Sequence, residues 1–459
     1  MYIEQIYTDC LAQASYYIES NKEAVIIDPI RDHSLYLDLL KKRESKLKYI
    51  FETHFHADFV SGHVELAQIT NAKIVFGPNA KTGYLSIQAD DQQEFVCGDI
   101  KFRVLHTPGH TMESVCYLLL SKDNSEEAVF TGDTLFIGEV GRPDLAVNPT
   151  LTSADLAVKL YHSLHNVLMK LPDDVIVYPG HGAGSACGKN IGLEKQSTIG
   201  LQKQFNYALQ SMSENTFVEL VTKEIPKAPE YFSHDVNMNK NGYSPSSIIF
   251  SKSLNKMSSY ELIENQNKGA IILDVRLPNE FETGFIPGAI NIGKAGMFAP
   301  WVATMIPLTI DMIIICHDGD EQEVISRLAR VGFENIIGYS TISEWKNAGH
   351  GMHTINSITS NQIVSHIETS FKILDVRKKG ELDLGFLTES IHIPLDTLHT
   401  NMKEIKKTDK FLIYCAGGYR SMIAASILQS RGYKHIKNIY GGFNAISKNQ
   451  DLSDYIKIS

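Results

Sequence analysis

Cysteine is sparse in this 459-residue chain, and its six copies, Cys10, Cys97, Cys116, Cys187, Cys316 and Cys415, include no close-spaced pair. That excludes a disulfide framework and a cysteine-knuckle zinc site, so each is read as a free thiol. No apolar run approaches the ~20 residues of a membrane span, and residues 1–10 lack the basic-then-apolar layout of a secretion signal. The expected location is therefore cytoplasmic, with no membrane partner. Excess basic charge is missing too: 43 Lys and Arg stand against 53 Asp and Glu, a net charge of −10. This argues against nucleic acid as a partner and requires any anionic substrate to find a locally positive pocket.

The length exceeds what one hydrophobic core usually supports, so several domains are expected. An internal repeat marks two of them: Ile272-Leu273-Asp274-Val275-Arg276 returns as Ile373-Leu374-Asp375-Val376-Arg377, 101 residues on. Residues 313–316 likewise parallel 412–415, and Val331-Gly332-Phe333 parallels Arg431-Gly432-Tyr433. In each copy short apolar runs alternate with helix-like stretches, the pattern of a small α/β fold with a parallel sheet. The copies are placed at residues 251–352 and 353–459. Residues 1–250 share none of this repeat and form a larger domain. Its best helix is predicted over 153–170, capped by Ser153, with Leu156, Leu160, Leu164, Val167 and Leu171 on one face and Pro172 as its stop. Residues 225–249, rich in Pro, Asn, Ser and Lys, read as the linker closing that domain.

Chemistry-bearing residues of the first domain fall in four strand-end turns. Thr53-His54-Phe55-His56-Ala57-Asp58 follows an apolar run, and alternate side chains of extended backbone face one way, so two imidazoles and a carboxylate can converge. Thr107-Pro108-Gly109-His110-Thr111, Phe130-Thr131-Gly132-Asp133-Thr134 and Tyr178-Pro179-Gly180-His181-Gly182 each add one ligand-type residue in a glycine-bearing turn. This ordered set resembles the metallo-β-lactamase superfamily, which implies a four-layer αββα fold with a metal at the strand ends. The run Leu135 through Asp144, with Tyr161-His162-Ser163-Leu164 and Leu171-Pro172-Asp173, resembles the branch holding glyoxalase II and the persulfide dioxygenases.

Those two activities differ in metal count. Glyoxalase II hydrolyses a thioester at a two-metal site, which needs a histidine directly after the motif aspartate, where this chain has Phe59. Two histidines and one carboxylate on one face of a single Fe(II) leave positions open for substrate sulfur and dioxygen. Resemblance to the dioxygenases implies one Fe(II) per chain held by His54, His110 and Asp133, with His56, Asp58 and His181 supporting them or supplying alternative ligands. If His56 joins the coordination sphere instead, a zinc-like hydrolytic site results. Arg142 is a candidate substrate anchor, or else a brace to Asp144. Cys187 follows His181 on a glycine-rich stretch, so it is expected near the metal pocket, with Lys189 favouring its ionisation, or else as an inert buried thiol.

In the last module the apolar run 411–414 ends at Cys415, and Ala416-Gly417-Gly418-Tyr419-Arg420 leads through Ser421 into a helix. Backbone N–H groups wrapped around the sulfur, a helix N-terminus and Arg420 are all expected to favour a thiolate and a persulfide on it. With Asp375-Val376-Arg377 and Gly441-Gly442-Phe443, this resembles the rhodanese sulfurtransferases. Cys415 and Arg420 are then catalytic, with Gly417 and Gly418 cradling the substrate. The middle module has His317-Asp318-Gly319-Asp320-Glu321 after Cys316, an acidic loop that repels thiolate and anionic donors alike. It is read as a degenerate scaffold.

Together these features imply oxidation of a low-molecular-weight persulfide of glutathione, coenzyme A, cysteine or a similar thiol by O2 to sulfite and thiol. Cys415 then transfers sulfane sulfur to sulfite to give thiosulfate, or works in the reverse direction. The rival readings are a metal-dependent thioester hydrolase with regulatory rhodanese modules and a sulfur-relay binding protein without turnover. Assembly into a homo-oligomer stays open.

Overall fold

In a computed structural model describing residues 1–458, the chain divides into two compact units, the first made chiefly of Met1–Ser246. That unit holds two six-stranded sheets. One follows chain order through Tyr2–Thr8, Gln13–Ser20, Glu23–Ile27, Lys46–Phe51, Lys73–Phe76 and Ile87–Gln88. The other runs in space Ser197–Thr198, Ile176–Pro179, Glu126–Gly132, Val115–Leu120, Ile100–His106 and Glu94–Cys97. Tyr16, Ile18, Val25 and Phe51 of the first meet Phe102, Tyr117, Leu119 and Phe130 of the second in one core. Outside the second sheet, Leu160 and Leu164 of the helix Ser153–Asn166 and Phe217 of Glu214–Thr222 pack on Leu118, Leu120 and Val129. Ala67, on the helix His63–Thr70, packs against Ile74 and Phe76 of the first. The layers are therefore helix, sheet, sheet, helix, as the αββα expectation required. Val115–Leu120 is apolar throughout because it is covered on both faces: Tyr117 and Leu119 point between the sheets, while Cys116, Leu118 and Leu120 point to the helices.

Two local expectations need correction. The helix beginning at Ser153 is capped by Thr152: its Oγ1 accepts from the Asp155 amide at 3.1 Å, and Asp155 Oδ2 accepts from the Thr152 amide at 2.8 Å, a reciprocal capping box. The helix ends at Asn166, not at residue 170, because φ swings to −117° at its C-cap Val167 and the chain tightens into the 3-10 turn Leu168–Lys170. The stretch read as a linker holds the helix Tyr231–Asn241 and the start of the helix Ser246–Ser253. In Tyr231–Asn241, buried Tyr231, Phe232 and Met238, with Val236, anchor a largely polar sequence. Among the described residues no helix is long and apolar enough to cross a membrane.

The second unit carries two parallel sheets. One is ordered Ile290–Asn291, Ile271–Asp274, Met312–Ile315, Ile336–Ser340; the other Asn356–Ile358, Ile436–Ile439, Lys410–Tyr414, Phe371–Asp375, Ile391–His392. The repeated Asp-Val-Arg is a buried two-point ion pair in each. Arg276 Nη2 and Nε reach Asp274 at 2.6 and 3.0 Å, and Arg377 does the same to Asp375. Each guanidinium also donates to a carbonyl eight residues on, Gly284 or Gly385. Such a pair fixes the turn that follows its strand, because removing either partner strands a buried charge.

The capping box makes a test. Thr152→Ala should destabilise the first unit by about 1 kcal/mol, read as a lowered denaturation midpoint. Ser153→Ala should not lower it, since the buried Ser153 hydroxyl has no hydrogen-bond partner to lose.

Candidate metal centre and sulfur-transfer loop

Parallel pairing of Glu126–Gly132 with Ile176–Pro179 sets their C-terminal ends side by side, which brings Asp133 next to His181. The amide of Val115 donates to the Thr53 carbonyl at 2.9 Å, drawing the His54 loop of the first sheet onto the second. His54, His110 and Asp133 thereby converge, with His54 Nε2 and His110 Nε2 at 3.9 and 3.5 Å from Asp133 Oδ2. All three are buried. Burial holds both imidazoles below their ordinary pKa and hence neutral. Burial opposes ionisation of Asp133 as well, but His181, His54 and His110 hold its carboxyl well below the usual range. His54 Nε2 and Asp133 Oδ2 have no hydrogen-bond partner. Buried polar atoms are almost always satisfied, so orphaned donors facing one another fit a metal ion.

Neighbouring groups fix which atom each ligand presents. Thr53 Oγ1 donates to Asp28 Oδ2 at 2.8 Å and therefore accepts from His54 Nδ1 at 2.9 Å, leaving the His54 Nε2 lone pair for the metal. His110 Nδ1 donates to the Arg142 carbonyl at 2.9 Å with the same effect. His56 is turned aside: its Nε2 lies 3.1 Å from Asp28 Oδ1 and 3.6 Å from Glu52 Oε2, with the tilted Phe59 ring 4.3 Å from its own. Asn239 secures this turn, its amide donating to the carbonyls of His56 and Phe59 at 2.8 and 2.7 Å. Neither Asp28 nor Asn239 stands out in the sequence, the first being one of many acids and the second lying in the stretch read as a linker.

His181 sits between Asp133 Oδ1 at 2.8 Å and Asp58 Oδ2 at 2.9 Å. Burial would discharge it, yet Asp133 and Asp58 raise its pKa well above the ordinary value. Cys187 joins Asp58 and His181 in one buried cluster, as its place after His181 predicted. Its expected ionisation is corrected: burial, then Asp58 and Asp133, push the thiol well above its ordinary pKa. Lys189 turns away to donate to the Leu220 carbonyl at 3.3 Å and to that of Lys223. Arg142 is a brace, not a substrate anchor. Its guanidinium donates to both Asp144 oxygens at 2.6 and 2.8 Å, to the Ala186 carbonyl at 3.2 Å and to that of Pro226.

In the second unit, Cys415 ends the strand Lys410–Tyr414, and the helix Tyr419–Ser430 starts behind Gly418. Gly418 adopts φ 106°, which suits glycine and lets its N–H donate to Cys415 Sγ at 3.1 Å. The Gly441-Gly442-Phe443 motif holds the loop from behind: Phe443 N–H donates to the Cys415 carbonyl at 2.7 Å, and a Cβ on Gly442 would lie 2.3 Å from that oxygen. Gly417 lies within the loop, where an added Cβ would meet only Asn444, at 4.0 Å. Arg420 is not the free positive charge expected, because Nη1 and Nη2 each donate to Glu381 at 2.6 Å. Glu381 stands four residues after Arg377, and Glu280 holds the matching place after Arg276. With no arginine available, Glu280 takes His317 at 3.1 Å. Cys316 is pushed up to about 12 by burial and then by Glu321, Asp320 and Asp318, in line with the acidic-loop argument.

Residues 8–181 match the Metallo-beta-lactamase superfamily, and residues 258–348 and 359–449 match the Rhodanese-like domain. The chain is 34% identical over 167 residues to a probable hydroxyacylglutathione hydrolase of Schizosaccharomyces pombe, a match spanning 36% of this chain and 60% of that protein. It is 30% identical over 214 residues to the hydroxyacylglutathione hydrolase of Tolumonas auensis, spanning 46% of this chain and 70% of the relative. A crystal structure of a metallo-beta-lactamase from Staphylococcus aureus shares 29% identity with a TM-score of 0.64, covering 74% of this chain and 98% of that one. The chain belongs to the metallo-beta-lactamase superfamily. It joins that fold and its His/Asp metal cluster to two rhodanese-like domains.

The Asp28–Thr53–His54 relay is testable by Asp28→Asn, which weakens the hold on Thr53 without changing volume. Metal affinity, measured by competition with a chelator, should fall about 10- to 100-fold with circular dichroism unchanged.

Proposed function

We propose that this protein oxidises a low-molecular-weight persulfide with dioxygen at a mononuclear non-heme iron and passes sulfane sulfur through Cys415. The observation that carries the reading is the withdrawal of His56 from the metal set. Two imidazoles and one carboxylate remain, while Phe59 stands where a two-metal hydrolase needs a histidine. Fe(II) held by His54, His110 and Asp133 would supply open positions for substrate sulfur and dioxygen. His181 donates from Nδ1 to Asp133 Oδ1, which directs Oδ2 to the metal. Cys187, kept as a thiol, lies beside Asp58 and His181. The overall step consumes persulfide, O2 and water and yields thiol, sulfite and two protons.

The sulfur-transfer step belongs to the last module. Cys415 attacks the outer sulfur of a second persulfide, breaking its S–S bond and releasing the carrier thiolate. Sulfite then takes that sulfur from the Cys415 persulfide, giving thiosulfate and restoring the thiolate. The loop N–H of Gly418 stabilises negative charge on sulfur in both forms. Cys316, raised to about 12, holds its proton at neutral pH and takes no part.

The hydrolase alternative draws on the hydroxyacylglutathione hydrolases among the relatives. It requires a second metal, for which Asp58 and His181 remain but the imidazole at position 59 does not. Anaerobically prepared protein should bind about one iron per chain and consume O2 with a persulfide substrate. Two tightly held zinc ions with thioester hydrolysis and no O2 uptake would overturn the proposal.

A second measurement isolates the sulfur-transfer loop. Cys415→Ser should keep O2 uptake and shift the enzymatic product from thiosulfate to sulfite, because a serine oxygen cannot carry sulfane sulfur. Cys316→Ser should leave the product unchanged. Sulfite and thiosulfate are quantified after quenching, with spontaneous reaction subtracted.

A further inference from the structure

A cavity of about 230 Å³ opens beside the metal set, with His110 and Thr111 on its inner wall. Phe55, Leu145 and Val236 give it an apolar lining, whereas Lys81, Lys240 and Asn79 stand exposed at the mouth. The two lysines come from distant parts of the chain and are brought together by specific bonds. Gly83 N–H donates to the Lys240 carbonyl at 2.8 Å, and Tyr84 Oη donates to the Asn239 carbonyl at 2.5 Å, fastening the Lys81 loop to the end of the helix Tyr231–Asn241. Neither ammonium group has a carboxylate partner or a hydrogen bond among the described residues. Glu113, on the same wall, has one carboxylate oxygen taken by the Phe55 N–H at 3.1 Å. The mouth thus carries net positive charge in a protein of net charge −10.

We infer that Lys81 and Lys240 form an anion subsite that selects the carrier thiol, taking carriers whose tail bears carboxylate or phosphate groups. This inference rests on the persulfide reading for what reacts at the metal, but the subsite stands on its own charges. A persulfide threads its short, uncharged stem along Phe55 and Leu145 towards His110, and its anionic tail stays in solvent between the lysines. Uncompensated like charges repel one another, and a ligand anion relieves that repulsion. The cavity is smaller than the ~300–1,000 Å³ of a pocket enclosing a whole drug-sized ligand, which suits capture of the reacting end alone.

The test uses the iron-loaded full chain and thioethers that cannot react: S-methylglutathione, with two carboxylates, S-methyl-coenzyme A, with phosphates, and the diethyl ester of S-methylglutathione. Calorimetry of the Lys81→Gln/Lys240→Gln double variant should show the acidic thioethers bound about tenfold more weakly than by the parent protein. The ester should bind equally to both proteins, and the difference should shrink as salt is raised. A loss confined to S-methylglutathione identifies a carboxylate tail, and one confined to S-methyl-coenzyme A a phosphate tail. Equal affinity of the parent and double variant for both acidic probes, or no binding of either, would overturn the subsite. Lysine-dependent binding without O2 uptake on any persulfide would uphold the subsite and overturn the oxidation reading instead.

Discussion

The metal centre depends on the packing of one sheet against another. Its ligands come from both: His54 follows a strand of the first, and His110 and Asp133 follow strands of the second. Phe51 and Tyr117 stack across the interface with ring centres 4.5 Å apart and planes within 9°. The Tyr117 hydroxyl donates to the carbonyls of Glu52 at 3.0 Å and Val75 at 3.2 Å. An aromatic pair that also binds backbone fixes distance and register together. The ligands converge only because that register is fixed.

Around this contact the site solves an electrostatic problem. Asp28, Glu52, Asp58 and the ligand Asp133 are all buried in or beside the site. Imidazoles face these groups: His56 lies against Asp28 and Glu52, the latter held protonated by burial and then by Asp28, and His181 bridges Asp58 and Asp133. The arrangement divides the histidines by task, with His54 and His110 kept neutral as donors and His181 held charged as a bridge. Desolvation drives the first state, and two adjacent carboxylates drive the second.

The second unit shows what a duplicated scaffold retains. Both modules keep the Asp-Val-Arg ion pair and a glutamate four residues further on. The same glutamate reaches Arg420 in one module and His317 in the other. The loop after the cysteine is where their divergence bears on sulfur chemistry. There burial and then three carboxylates raise Cys316, whereas an N–H meets Cys415.

Much of this was legible in the chain. Alternating or continuous apolar runs betray strands because period and burial follow from backbone geometry, and the 101-residue repeat exposed the paired modules. Strand-end turns singled out His54, His110, Asp133 and Cys415 as candidates, since so few side-chain types perform that chemistry, and the first three do converge. Tertiary structure alone decided how those residues are used. It turned His56 onto Asp28, set Arg142 to bracing Asp144, paired Arg420 with Glu381 and buried Cys187 beside two carboxylates. The physical reason is that a side chain's charge, tautomer and free valence depend on neighbours brought from elsewhere in the chain. Sequence determined which groups are present; packing decided which of them remain free to react.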